Sequence, residues 1–270
     1  MTHTVTKQPP ITIFCSFTRR WAVERWLSNL SATNIDPSQT YLAIIVDVDE
    51  PYIATQLKRY AEENGYAGIE VIINRENNPN EVRIPVRRQA IAAMKNQSKG
   101  LISMFPADII IGLEDDTVFP DLDFARLYEP ILRDDTVAFV EGVQCGRWGI
   151  KIIGAWSIDD YEFPQKAETL IPKEGYQEID AGGFYGYATT KKHYLNHDYY
   201  SATSQVWGPD VNYGLWLRNQ GFTCLIDWQS VFGHNDYDNI LYPDEKVSKV
   251  VYTRDITTGK WGRNDTDKTG

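Results

Sequence analysis

The sequence predicts an α/β fold with a mixed, mostly parallel central sheet flanked by helices, and three observations carry this. Short β-rich runs alternate with amphipathic segments through the first half of the chain. Those runs are apolar at successive positions, as strands buried on both faces must be. The second half holds further strand-like runs with few helical segments between them, which points to antiparallel or mixed additions to the same sheet.

Taken in order, ITIFCSF (11–17) follows Pro9-Pro10 and reads as the first strand. Val23, Trp26, Leu27 and Leu30 recur at i, i+3, i+4 and i+7, the stripe of an amphipathic helix. YLAIIV (41–46) is the second strand. Ile53, Leu57, Tyr60 and Ala61 mark a second helix that stops at Asn64-Gly65, since glycine accepts the backbone geometry of a helix end. IEVII (69–73) is the third strand, and a third helix is expected to carry Val86, Ala90, Ala93 and Met94 on one face. ADIIIGL (107–113) then delivers a fourth strand into Glu114-Asp115-Asp116. Beyond it, VAFVEGV, IKIIGAW, GGFYGYA and FTCLI read as strands, with one short helix over Val211 to Asn219. The segment from Thr258 is polar and glycine-containing, and is expected to fray. One domain over 1–258, in halves of about 11–120 and 121–258, with a polar tail over 259–270, is the simplest division.

Composition bounds the function. Of the 270 residues, 42% are hydrophobic and 24% charged, a balance that excludes a disordered or membrane-spanning chain. Aromatic residues reach 13%, more than a core of this size requires, and flat apolar faces suit sugar rings or bases. A net charge of −10 argues against binding nucleic acid through the overall field, although Arg83, Arg87, Arg88 and Arg147 could line a local groove. Cys15, Cys145 and Cys224 stand singly in apolar runs, as reduced core residues of a cytoplasmic protein do. No apolar run is long enough to span a bilayer, and the first residues lack the apolar stretch of a signal peptide.

The chemistry concentrates where strands are expected to end. SFTRR, after the first strand, is neither a dinucleotide-binding turn nor a P-loop, so any phosphate must be held another way. Carboxylates around Mg2+ or Mn2+ are one such way, leaving open positions for diphosphate oxygens. Glu114, Asp115 and Asp116 raise one another's pKa and call for a cation. Asp47 and Asp49, in IIVDVDEP, fall on the same rim; Asp47 suits a hydrogen bond to a nucleoside or a simple turn. Asp210, in WGPDVNYGLWLRNQGF, reads either as the N-cap of a short helix ended by Gly221 or as a general base. His234 suits a metal shell or a structural role.

Together these features resemble a glycosyltransferase of the GT-A fold, family 2-like: a strand ending in Asp47, an acidic element after the fourth strand, the small-residue segment DAGGFYGYATT from Asp180, Trp207-Gly208-Pro209-Asp210 before a helix, and a late His234. The resemblance covers roughly 11–236, and its triplet is E-D-D where the family has D-x-D. It implies a hexosyltransferase moving sugar from a nucleotide-diphosphate donor, a UDP-sugar foremost, to an acceptor hydroxyl. Asp47 would meet the base and Glu114 or Asp115 the ribose, with Asp49 and Trp207 in the same donor site. Asp116 and His234 would hold Mn2+ or Mg2+. Arg87 or Arg88 would stand near the donor, and Gly182-Gly183 would let a sugar approach the backbone closely. Asp210 would deprotonate the acceptor, with inversion at the anomeric carbon. The acceptor is open among glycans, proteins, small molecules and hydroxylated DNA bases. The alternatives are a sugar nucleotidyltransferase of related fold and a non-catalytic carbohydrate-binding protein, in which Trp148, Trp156, Trp207 and Trp216 stack on sugars or fill the core.

Overall fold

Strands and helices form where periodicity places them in the first half: β1 (Ile11–Phe17), α1 (Val23–Ala32), β2 (Thr40–Val46), α2 (Pro51–Glu63), β3 (Gly68–Ile73), α3 (Val86–Ser103) and β4 (Ile109–Glu114). The second half continues with β5 (Thr117–Val118), α4 (Ala125–Arg133), β6 (Val137–Val143), β7 (Ala155–Ile158), β8 (Lys166–Thr169), β9 (Tyr176–Ile179), β10 (Ala181–Gly182) and β11 (Gly186–Thr190). It closes with α5 (Lys191–Asn196), α6 (Pro209–Asn219), β12 (Thr223–Val231), β13 (Gly233–Asp236), β14 (Asn239–Leu241), β15 (Val250–Arg254) and β16 (Trp261–Asp265). The structure is a computed structural model and describes residues 7–46, 51–74, 86–119, 122–144, 153–158, 166–169, 174–200, 208–236, 239–243, 250–254 and 261–265.

The central sheet has eight strands in the order β3-β2-β1-β4-β11-β6-β12-β9. The pairs β1–β2, β2–β3, β1–β4 and β6–β12 are parallel. β11 runs antiparallel between β4 and β6, and β9 antiparallel at the edge. The fold is thus mixed α/β with a large, mostly parallel sheet; of the expected additions, β6, β11 and β12 join that sheet, whereas β7 and β10 belong to a second one. A five-stranded sheet, β10-β7-β8-β15-β16, and a three-stranded one, β14-β13-β5, lie outside it.

Both faces of the sheet are covered, which is why its strands read as continuous apolar runs. Successive side chains point to opposite faces. Ile11, Ile13, Cys15, Phe17, Leu42, Ile44, Ile109 and Ile111 join one core with Trp26 of α1, Leu57 of α2 and Leu127 of α4. Phe14, Ala43, Ile45 and Ile110 join the other with Leu101 of α3, Tyr194 of α5 and Leu217 of α6. Trp216 packs against this second core with its ring stacked on Tyr213. The same alternation carries Glu114 to the face that α3 covers. Among the described residues no helix is long and apolar enough to cross a membrane.

Helix ends follow the expected chemistry. At the end of α6, Gly221 takes φ +84°. The Gly221 amide donates to Arg218 O at 2.9 Å and the Phe222 amide to Leu217 O at 3.1 Å, the paired bonds of a Schellman motif.

Four expectations change. α3 buries Ala92, Met94, Lys95, Ser98, Leu101 and Ile102, whereas Ala93 is exposed. GGFYGYA is two strands, β10 and β11, and the strand expected in IKIIGAW begins at Ala155. α4 and α5 join α6 as helices of the second half. Trp261–Asp265, in the segment expected to fray, pairs antiparallel with Val250–Arg254. Cys15 and Cys224 are buried free thiols; Cys145 lies outside the described residues.

Gly112 of β4 is set by packing: a Cβ there would come within 2.1 Å of the Tyr187 ring, which lies directly across from it on β11. Gly112→Ala is therefore expected to cost about 1–3 kcal/mol of unfolding free energy through overpacking, measurable by urea denaturation.

His197 is buried among the rings of Tyr199, Tyr213 and Trp216, and burial, with Lys99 nearby, lowers its pKa to about 4. The unfolded chain, with a histidine near its ordinary 6.5, then binds more protons than the folded one between about pH 6.5 and about 4. Stability is expected to fall as pH drops through that window and then level off, and His197→Phe should flatten the dependence in thermal melts.

Candidate functional site

The acidic triplet stands at the carboxyl end of β4, beside the end of β1, where Glu114 pairs with Ser16. Asp115 and Asp116 are buried, at 3% and 0% exposure. Two adjacent carboxylates so placed need a counter-charge, and the loop after β1 provides it. Arg19 ion-pairs with Asp115, and its Nη1 lies 3.2 Å from Asp116 Oδ2. Thr18 donates to Asp115 Oδ2 twice, from its amide at 2.7 Å and its hydroxyl at 3.0 Å. Burial still pushes the Asp115 carboxyl up, against the pull of Arg19 and Thr18.

On the other side, Asp116 meets β13. His234 Nε2 lies 3.2 Å from Asp116 Oδ2, and the Asn235 amide donates to Asp116 O at 2.8 Å. The strand pairing that puts His234 opposite Thr117 enforces this approach. Two ligands of an octahedral ion at about 2.1 Å lie about 3.0 Å apart, close to the 3.2 Å between Asp116 Oδ2 and His234 Nε2. The pair therefore fits one edge of a divalent shell. Among the described residues no third His, Cys, Asp or Glu joins them, and an ion on one or two protein ligands keeps positions for phosphate and water.

α6 carries Asp210. Gly208 is the N-cap of this helix, Pro209 its first residue and Asp210 its second, so the carboxylate lies in the first turn, where the helix dipole favours negative charge. Burial raises its pKa, the Val211 amide and Arg88 lower it, and Glu114 raises it again. Asp210 thus feels Arg88 of α3 and Glu114 of β4, elements far from it in sequence. Arg19, Arg87, Lys95, Glu114 and Asp115 line one pocket with Phe14, Ser16 and Thr18.

Beside Asp210 lies Glu141, in the middle of β6 and fully buried. Burial drives its pKa well above the usual range, opposed by the Gly183 amide, with Asp210 raising it further. The glycine pair is shaped by these neighbours: a Cβ on Gly182 would lie 2.3 Å from the Glu141 carboxylate, and one on Gly183 2.4 Å from the Tyr185 ring. Both positions are small because side chains of this chain fill the adjoining space.

The structure thus brings Arg87, Glu114 and Asp115 into one pocket, sets Asp116 against His234, and puts Asp210 within electrostatic reach of Arg88 and Glu114, while Gly182 lies against Glu141 and Gly183 against Tyr185. Asp47, Asp49 and Trp207 lie outside the described residues. Sequence reasoning missed Arg19, Lys95 and Glu141. SFTRR was read for phosphate motifs only, and its arginine is the counter-ion of the triplet. Glu141 carried a signal, a lone carboxylate inside the apolar run VAFVEGV.

No protein-family model matches the chain, and no curated protein does. Among solved structures, the mannosyltransferase PcManGT from Pyrobaculum calidifontis, in complex with GDP-Man and Mn2+, aligns with a TM-score of 0.53 at 13% identity, over 84% of this chain and 57% of that one. The chain thus spans a little over half the length of that protein. A197 from STIV aligns with a TM-score of 0.47 at 13% identity, over 87% of this chain and 91% of that one. The likeness to the mannosyltransferase is one of fold.

Removing Arg19 leaves two buried carboxylates uncompensated. Arg19→Ala is expected to lower stability by about 3 kcal/mol, the scale of breaking a buried ion pair from one side. Arg19→Lys should recover part of the loss, and urea unfolding of the three proteins measures both.

Proposed function

We propose that the chain is a divalent-metal-dependent glycosyltransferase of GT-A architecture, family 2-like, that moves a hexose from a nucleotide-diphosphate sugar to an acceptor hydroxyl. The observation that carries this is that the carboxyl ends of β1 and β4 hold a pocket lined by Arg19, Arg87, Lys95, Glu114 and Asp115, with Asp116 against His234 at the same strand end and Asp210 of α6 within electrostatic reach of Glu114. Ligands bind at that edge of a parallel sheet. The shared fold with a mannosyltransferase solved with GDP-Man and Mn2+ supports the donor class.

In this reading Asp116 and His234 hold Mn2+ or Mg2+. The bound ion would absorb the charge that develops on the diphosphate as the glycosidic bond breaks. Asp210 takes the proton of the acceptor hydroxyl, which attacks the anomeric carbon from the face opposite the leaving group and inverts it. Burial raises the Asp210 carboxyl toward the working pH, which makes it a stronger base. Arg88 pulls in the opposite direction. Glu114 faces the nucleoside, a role the resemblance also gives to Asp47 and Asp49, while Asp115 is spent on Arg19 and Thr18 and holds the loop after β1 in place. Arg87, which lines the pocket, borders the donor.

The test is nucleotide release from a panel of UDP- and GDP-sugars with Mn2+ and with a chelator. Metal-dependent release from at least one donor is expected. Asp116→Ala should lose metal-dependent donor binding, whereas Asp210→Asn should bind donor normally and transfer about a hundredfold more slowly or worse. Full activity in both variants sinks the assignment of the site.

A further inference from the structure

Lys95 is a buried cation that the reading above does not use. It projects from α3, is 7% exposed, and lines the same pocket as Glu114. Its ammonium lies over three ring faces, at 4.4 Å from the centroid of Phe184, 4.7 Å from Phe14 and 5.3 Å from Tyr187. Ring faces hold a cation through their quadrupoles and do not saturate its N–H groups as oxygen acceptors do. The hydrogen bond of this ammonium is one long contact, donated to Tyr187 Oη at 3.4 Å. A lysine has three donors, and among the described residues no carboxylate reaches ion-pair distance of Nζ.

A buried ammonium without an anion is costly, and burial accordingly lowers its pKa to about 8. The titratable groups that face it are the Cys15 thiol from β1, Glu114 from β4 and Asp210 from α6, all acting through space, with the Tyr187 hydroxyl from β11 in contact. Arg87, on the same helix, lines the pocket with it. The pocket sets Arg19, Arg87 and Lys95 against Glu114 and Asp115, and Asp115 is already engaged by Arg19. Among the residues that line the pocket the cations exceed the carboxylates by one, with Ser16 and Thr18 in the same lining.

We propose that Lys95 is an anion-binding residue of this cleft, held ready by the Phe14, Phe184 and Tyr187 rings to donate to a phosphate oxygen of the bound ligand. The proposal deepens the glycosyl-transfer reading by giving the departing diphosphate a cation that belongs to the protein and acts without metal. It accounts for Gly112, whose missing side chain lets Tyr187 lie where it meets the ammonium.

Calorimetric titration with inorganic pyrophosphate, in chelator and at about pH 7, tests it on the whole chain. The wild-type protein should bind. Lys95→Met should weaken binding about tenfold or more, the scale of one charge-assisted hydrogen bond, and Lys95→Arg should retain most of it. Raising the pH to about 9 should weaken binding to the wild type relative to Lys95→Met, since pyrophosphate changes charge equally in both titrations and only the wild type loses the Lys95 charge. In the reductively methylated wild-type protein, saturating pyrophosphate should move the Lys95 methyl resonance titration to higher pH, a readout that needs no variant to fold. The proposal is overturned if the wild type does not bind pyrophosphate, if folded Lys95→Met binds it equally, if the Lys95 titration does not move, or if glucuronate binds in place of pyrophosphate. Pyrophosphate binding involves no transfer: binding through Lys95 without nucleotide release from any donor would remove the transferase reading alone. Metal-dependent transfer with Lys95→Met as active as wild type would remove this proposal alone.

Discussion

Asp115 and Asp116 can be buried side by side only because Arg19 lies against both. In a low-dielectric interior two adjacent carboxylates repel strongly, and a guanidinium, planar and always charged, can face both oxygens at once. That demand organises everything around the end of β4. Thr18 and Arg19 fix the loop that leads from β1 into α1. On the opposite side, Asp116 draws in His234 and anchors the β13 backbone through Asn235, whose side chain is in turn held by Arg25 of α1. A single acidic turn thus ties β1, α1, β5 and β13 into one rim.

A second chain of constraints runs through the sheet from the same strand. Gly112 leaves room for Tyr187 to cross β4. Tyr187 stacks on Phe139 and tilts against Phe184, and Tyr187 and Phe184 with Phe14 form the box around Lys95. On the neighbouring strand Glu141 is buried against Gly182. Charged groups are thus set into the apolar face that α3 and α6 cover, close to the carboxyl ends of the strands. Each is costly to bury, and their clustering at one edge is what marks that edge as chemically active.

Much of the fold was legible. β1, β2 and β4 are continuous apolar runs because each is covered on both faces, whereas the edge strand β3 is half-buried throughout and admits Glu70; α1 and α2 show unbroken stripes. The α3 face was misread by one position, Ala93 in place of Ala92, for a physical reason. Alanine marks a helix face weakly, and two residues on the buried side, Lys95 and Ser98, are polar; Ser98 is buried through its contact with the Tyr194 hydroxyl. In the second half, Gly183 to Tyr185 break what looked like one strand into β10 and β11, because the chain passes there from the second sheet to the first.

By itself the sequence determined which segments are strands and helices, that the strands are buried on both sides, and that carboxylates gather where β4 ends. These follow from periodicities of two and 3.6 residues and from local backbone preferences, which act over a few positions. Tertiary structure alone decided which charges meet. Arg19 reaches Asp115 across 96 residues and His234 reaches Asp116 across 118, and nothing in the spacing of either pair announces the contact. Such partners are set by the order of strands in the sheet and by where its edges bring distant loops together. The acidic turn was visible from the sequence, and the cation that lets it be buried was not.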